Sequence, residues 1–175
     1  MNTKRIVFGG SGGQGVVTAA IILAEAAAIY EGLNAVQTQS YGPEARGGAT
    51  RSDVVISDEP IRYPKVLHPN VLVCLTQEAY DKLSNLIRPG GLLLTDTHHV
   101  KKVHKVDARH VELGMYEAVV DKVGKPIVFN ICVLGALITL TGLVDAQSIM
   151  RVLQTKIPVD LLEVNEKALQ IGLQL

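Results

Sequence analysis

The chain has 175 residues with 17 basic and 17 acidic side chains, a balance that leaves no global field to draw nucleic acid or an anionic membrane. Its length is that of a single domain, residues 1–175, with one core. Hydrophobic residues make up 47% and charged residues 19%, with a mean hydropathy of +0.25, whereas a soluble domain usually carries about 25% charge, so part of the surface is expected to lie against a partner.

Residues 4–8 read as a short strand. Arg5 is followed at once by strand and glycine loop rather than by the apolar core of a leader, and cytoplasm is the expected compartment. The strand runs into Phe8-Gly9-Gly10-Ser11-Gly12-Gly13-Gln14-Gly15, built to let backbone approach a ligand. Gly10, Gly12 and Gly15 fit G-x-G-x-x-G, the spacing that sets a diphosphate on the first amides of the next helix, where aligned peptide dipoles leave a partial positive charge. Glycine loops also serve as plain strand-to-helix turns, so the spacing alone leaves both readings open.

Residues 13–30 form an alanine-rich helix with almost no polar face, hence buried nearly all round. A dinucleotide site would place an Asp or Glu about 20 residues beyond the loop, at the end of the second strand. That strand, 33–39, ends without a carboxylate, Glu31 precedes it, and no Arg stands there for a 2′-phosphate. The loop is phosphate-capable without being dinucleotide-specific. A second loop follows, Ser40-Tyr41-Gly42-Pro43-Glu44-Ala45-Arg46-Gly47-Gly48. In a parallel sheet it shares the ligand-binding edge with the first loop, where Arg46 offers a planar cation for an oxyanion and Tyr41 a stacking face. The alternative is a solvated Glu44–Arg46 pair on a surface turn.

Residues 50–57 alternate as a third strand, 58–60 turn, and 71–75 is an apolar run suited to a central strand. Thr76 can cap a helix reaching residue 86, and Arg88-Pro89-Gly90-Gly91 returns the chain to another buried strand at 92–95. Short strands are expected at 100–106 and 127–129, and helices at 114–123, 145–153 and 160–173. The alternation predicts an α/β fold, a three-layer α/β/α arrangement around a mostly parallel or mixed central sheet. The uncharged stretch 126–144 is close to membrane-spanning length. Asn130 as N-cap and Gly142 as stop cut it to about 12 helical residues, about 18 Å, too short for a bilayer core.

Cys74 and Cys132 lie in apolar runs and read as buried, unpaired thiols, leaving no cysteine cluster for metal. His98, His99, His104 and His110 lack metal-ligand spacing and stand beside Lys101, Lys102 and Lys105, which reads as a solvated basic loop. Arg51 and Lys125 read as surface or interface charges, and no catalytic residue can be assigned.

Gly-Gly-Gln-Gly-Val-Val at 12–17 and Gln-Ser-Tyr-Gly-Pro-Glu-Ala-Arg-Gly-Gly-Ala-Thr-Arg-Ser-Asp-Val-Val-Ile-Ser at 39–57 closely resemble the gamma subunit of 2-oxoacid:ferredoxin oxidoreductases, as does Asn-Ile-Cys-Val-Leu-Gly-Ala-Leu at 130–137. Ala45, where pyruvate and branched-chain members tend to carry methionine, makes the chain most similar to the 2-oxoglutarate branch. The resemblance implies a gamma domain of the three-layer type, working with alpha, beta and, where present, delta subunits and passing electrons to ferredoxin. It implies a coenzyme A contact through Gly10, Ser11, Gly12, Gly13, Gln14 and Gly15, with Arg46 on a phosphate and Ser40, Tyr41 and Gly47 nearby. It places thiamine diphosphate, Mg2+ and the [4Fe-4S] clusters in partner subunits. The alternatives are the same role in a pyruvate or branched-chain 2-oxoacid complex, or a free-standing Rossmann-like nucleotide-binding protein.

Overall fold

A computed structural model of the chain describes residues 3–41 and 49–175. In order it comprises β1 (Lys4–Ser11), α1 (Val16–Glu25), which widens into a π-helical turn at Ala26–Tyr30, β2 (Asn34–Tyr41), β3 (Ala49–Ser57), β4 (Val71–Cys74) and α2 (Gln77–Leu83). There follow β5 (Gly91–Asp96), β6 (Ala108–Leu113), α3 (Met115–Val123), α4 (Phe129–Thr141), α5 (Ala146–Lys156) and α6 (Val159–Gln174).

The six strands form one sheet in the order β2-β3-β1-β4-β5-β6. The β1/β4, β4/β5 and β5/β6 pairs are parallel, whereas β2/β3 and β3/β1 are antiparallel, so the sheet is mixed. Chain length explains the change of sense: only residues 42–48 join β2 to β3, and a parallel crossover needs about a dozen or more.

The strands' alternation splits the core into two layers. Ile6, Phe8, Val54, Ile56, Val73 and Leu94 face α1 and α3–α6, while Val7, Val55, Leu72, Cys74 and Leu93 face α2. Helix α4 is the centre of the thicker layer. Each residue from Phe129 to Ile138 is buried, as an all-round apolar helix requires. Helix α6 crosses it at backbone contact. A methyl added at Gly172 would fall on the Cys132 carbonyl, and one at Gly135 on that of Leu169.

Most expected elements are present, and Thr76 caps α2 by accepting the Ala79 amide at 3.2 Å. Gly142 stops α4 in the left-handed conformation, φ 60°. Among the described residues no helix is long and apolar enough to cross a membrane; α4 has 13 residues.

Four expectations change. No strand occupies 100–106; Val100 and Val106 are isolated anchors in the α2-side core, and the edge strand is β6. Residues 127–129 are not a strand, because Pro126 opens a 3-10 turn at Pro126–Val128 that feeds straight into α4. Asn130 lies inside α4 rather than capping it. Arg51 is structural, not a free surface charge: Nε and Nη2 donate to the Asp53 carboxylate at 2.7 and 3.1 Å, and Nη2 also reaches the Val66 carbonyl.

The basic loop is exposed at His98, Lys101, Lys102 and Lys105, as expected, while His99, His104 and His110 are each held by a side-chain partner. His99 Nδ1 lies 2.9 Å from the buried Asp96 carboxylate, which also accepts the amides of His98 and Tyr116. His104 bonds Ser84 at 2.9 Å, and His110 bonds Thr95 at 2.8 Å. Burial lowers the His110 pKa, helped by Lys102 and opposed by Glu112.

The α4–α6 crossing generates a direct test. Gly172→Ala is expected to destabilise the protein by about 1–3 kcal/mol or more, since the obstructing atoms are backbone and cannot rotate away. A urea titration reads this as a lower midpoint at constant slope; an unchanged midpoint would show that the helices can separate freely.

Candidate functional site

Strand β1 extends beyond the expected residue 8. Gly9 and Gly10 pair with Arg51 and Thr50, and Ser11 with Ala49, so the loop proper is only the turn at 12–15. The two strand glycines serve packing. A Cβ at Gly9 would lie 2.7 Å from Leu83 of α2, and one at Gly10 2.7 Å from Val16 of α1, so their absence lets a helix close on each face of β1.

Gln14 holds the turn together. Its Oε1 accepts the Ser11 amide at 2.9 Å, and its Nε2 donates to the Leu75 carbonyl at 2.9 Å. The Leu75 amide in turn donates to the Gly9 carbonyl at 2.8 Å. The side chain thus bridges the carboxyl ends of β1 and β4, where the chain leaves the sheet toward opposite faces, α1 on one and α2 on the other. That junction is the usual ligand position of an open α/β sheet.

Gly15 begins α1 in the left-handed conformation, φ 72°. A side chain there would also collide with Asn130, whose Nδ2 donates to the Gly15 carbonyl at 3.3 Å. Helix α1 has no side-chain cap and no acidic residue in its first turn. Its first amides have no acceptor within the helix, and no cap or first-turn carboxylate among the described residues compensates the positive end of the dipole. A methyl at Gly13, φ 91°, would meet nothing within 4 Å, so this residue faces open space.

A cleft of about 500 Å³ opens in front of these amides. One wall is Ser11, Gly12, Gly13 and Gly15 with the first turn of α1. The other is apolar, from Ile127 and Ile131 at the start of α4 and from Ile157 and Leu161 around the start of α6. Thr18, Thr50, Asn130 and Asn165 add polar groups. No ionisable side chain among the described residues lines it, so the lining is suited to binding through amides, hydroxyls and apolar surface.

Of the residues expected from the sequence, Ser11, Gly12, Gly13 and Gly15 meet on the cleft. Gly10 lies behind the turn, and Gln14 spends its side chain on the bridge to Leu75. Tyr41 ends β2 opposite Thr50, at the same sheet edge as Ser11. Ser40 pairs with Arg51 and borders a separate hollow with Lys65 and Val66. Arg46 and Gly47 fall outside the described residues. Sequence reasoning missed the apolar wall. Its residues come from segments far apart in the chain, and no local pattern in the sequence joins them.

Comparison with known proteins gives a consistent set of relatives. The family model for pyruvate ferredoxin/flavodoxin oxidoreductase matches residues 5–175. The 2-oxoglutarate synthase subunit KorC of Methanocaldococcus jannaschii is 47% identical over 157 residues, covering 89% of this chain and 84% of that protein. The KorC subunit of Methanothermobacter marburgensis is 40% identical, covering 98% and 96%. The crystal structure of the gamma subunit of a keto/oxoacid ferredoxin oxidoreductase from Geobacter sulfurreducens superposes with a TM-score of 0.91 at 40% identity, covering 99% of this chain and 96% of that one. The 2-oxoglutarate:ferredoxin oxidoreductase of Magnetococcus marinus, with 2-oxoglutarate, coenzyme A and succinyl-CoA bound, shares the fold at a TM-score of 0.90 and 21% identity, over 31% of its longer chain.

Removing the glutamine bridge tests whether the turn is held as described. Gln14→Ala strands the Ser11 amide and the Leu75 carbonyl and is expected to lower stability by about 1–3 kcal/mol. Urea unfolding measures the shift, and a midpoint equal to that of the parent would mean water replaces the bridge.

Proposed function

This chain belongs to the pyruvate ferredoxin/flavodoxin oxidoreductase family, and we propose that within it the chain is the gamma subunit of a cytoplasmic 2-oxoglutarate:ferredoxin oxidoreductase, where it binds coenzyme A and helps assemble the complex. The observation that carries the coenzyme A reading is the pairing, in one cleft, of an uncapped helix start with an apolar wall. Coenzyme A has the same division, an anionic phosphate end and a long pantetheine arm.

On this reading the amides from Gly12 to Val17 meet a phosphate of the ligand, where the α1 dipole favours negative charge. Thr18 and Thr50 offer hydroxyls beside it. Ile127, Ile131, Ile157 and Leu161 exclude water from the pantetheine arm. Arg46, in the motif shared with the family, supplies a charge-assisted contact to a phosphate. The Magnetococcus marinus enzyme, which has coenzyme A bound, supports this choice of ligand.

The redox centres belong to partner subunits: alpha and beta chains carrying thiamine diphosphate, Mg2+ and [4Fe-4S] clusters, from which ferredoxin takes its electrons. The two cysteines here are ill suited to ligate iron. Both are buried free thiols on different elements, and burial raises the pKa of each, that of Cys132 to about 12. A thiolate is what a cluster requires. A dinucleotide reading is disfavoured by topology, because the parallel neighbour of β1 is β4, which ends at Cys74 without a carboxylate, and Gln14 spans the gap between the two strands.

The test uses the assembled complex. Arg46→Ala is expected to raise the KM for coenzyme A by roughly 10- to 100-fold, the equivalent of one charge-assisted hydrogen bond, while decarboxylation of 2-oxoglutarate without coenzyme A proceeds at the parental rate. A parental KM would contradict the role given to the arginine. Purification of the native chain without thiamine- or cluster-bearing partners would contradict the assignment as a subunit.

A further inference from the structure

A second cavity lies at the opposite edge of the sheet. Its volume is about 450 Å³, and it sits beneath the last turn of α4, where the parallel strands begin. Register explains what faces it. Val71, Leu92 and Arg109 stand in one row across β4, β5 and β6, level with Ile6 of β1. Ile6, Val71 and Leu92 belong to the core on the α4 side, so Arg109 lies on that face too. Lys4, two residues before Ile6, shares the face by strand alternation. Arg88 joins them from the turn between α2 and β5, where Gly90 at φ 71° brings the chain around.

Three cations from three separate elements thus border one cavity, and no carboxylate among the described residues lines it. None of the three makes an ion pair among the described residues, although the chain has as many acidic as basic side chains. The α4 C-terminus above them contributes about half a negative charge, which offsets only part of about three positive ones. The remaining field favours an anion. Two guanidinium groups match the planar fork geometry of a phosphate, and the ammonium adds a point charge. Val71, Leu92, Leu140 and Leu143 supply an apolar floor and roof for whatever carries that phosphate.

We infer that the amino edge of the sheet holds a second binding site, separate from the glycine-loop cleft, that takes a phosphate group through Lys4, Arg88 and Arg109. The inference stands whatever the glycine-loop cleft binds. The cavity is within the range of small-molecule sites, and its charged rim with an apolar interior suits a phosphate monoester as well as the free ion.

Isothermal titration of the full chain with inorganic phosphate and with phenyl phosphate, against sodium chloride at matched ionic strength, tests it. Saturable binding of at least one of the two is expected, and the tighter one identifies the free or esterified ion as the ligand. Arg88→Gln and Arg109→Gln should each weaken that binding on the order of tenfold, with the chain still folded by circular dichroism. Equal affinity in parent and both variants would overturn the site. So would a heat that chloride reproduces, since the cations would then serve only the end of α4.

Discussion

The carboxyl edge of this molecule depends on one contact, that of Gly15 with Asn130. A left-handed glycine begins α1, and the asparagine in the first turn of α4 bonds its carbonyl and fills the space a side chain would need. The contact joins residues 115 positions apart and sets the positive end of α1 against the start of the buried helix. From there the geometry propagates. Helix α4 is locked to α6 through Gly135 and Gly172, and that crossing carries Leu161 and Asn165 to the far side of the same cleft. Gln14 closes the arrangement from below by tying the turn to the end of β4.

Much of this was legible from the sequence. The glycine loop, the Thr76 cap, the Gly142 stop and the apolar α4 are local signals, each written in a few neighbouring residues, although β1 runs on through Ser11 and leaves the loop shorter than its motif. What the sequence concealed was long-range. Nothing near Asn130 says that its side chain turns toward Gly15 instead of capping its own helix. The valines at 100 and 106 imitate a strand because each anchors separately in the α2-side core, while β6, with its mixture of Arg109, His110, Val111 and Glu112, has the weak pattern of an edge. The antiparallel sense of β2 and β3 follows from the shortness of their connection, a clue readable before the structure but outweighed by the alternation of strands and helices.

The cleft shows the same division. Its glycine wall was visible as a motif, and the family resemblance rested on it and on the Tyr-Gly-Pro-Glu-Ala-Arg-Gly-Gly stretch. Its apolar wall was not, since Ile127, Ile131, Ile157 and Leu161 come from two regions that only the α4–α6 crossing unites. The glycines turned out to divide their labour. Gly9 and Gly10 let helices approach the strand, Gly15 admits Asn130, and Gly12 and Gly13 face the cleft. A motif usually read as one phosphate cradle is here partly a packing device, which is why its spacing alone did not identify a ligand.

In the function proposed above, coenzyme A occupies the cleft between the glycine turn and the start of α4. Hydrogen–deuterium exchange on the assembled complex, with and without coenzyme A, tests it most directly. Slowed exchange is expected at the amides of residues 12–18 and 127–131 on ligand addition, with the rest of the sheet unchanged. Saturating coenzyme A that leaves both segments at their unliganded rates, while protecting another part of the complex, would contradict it.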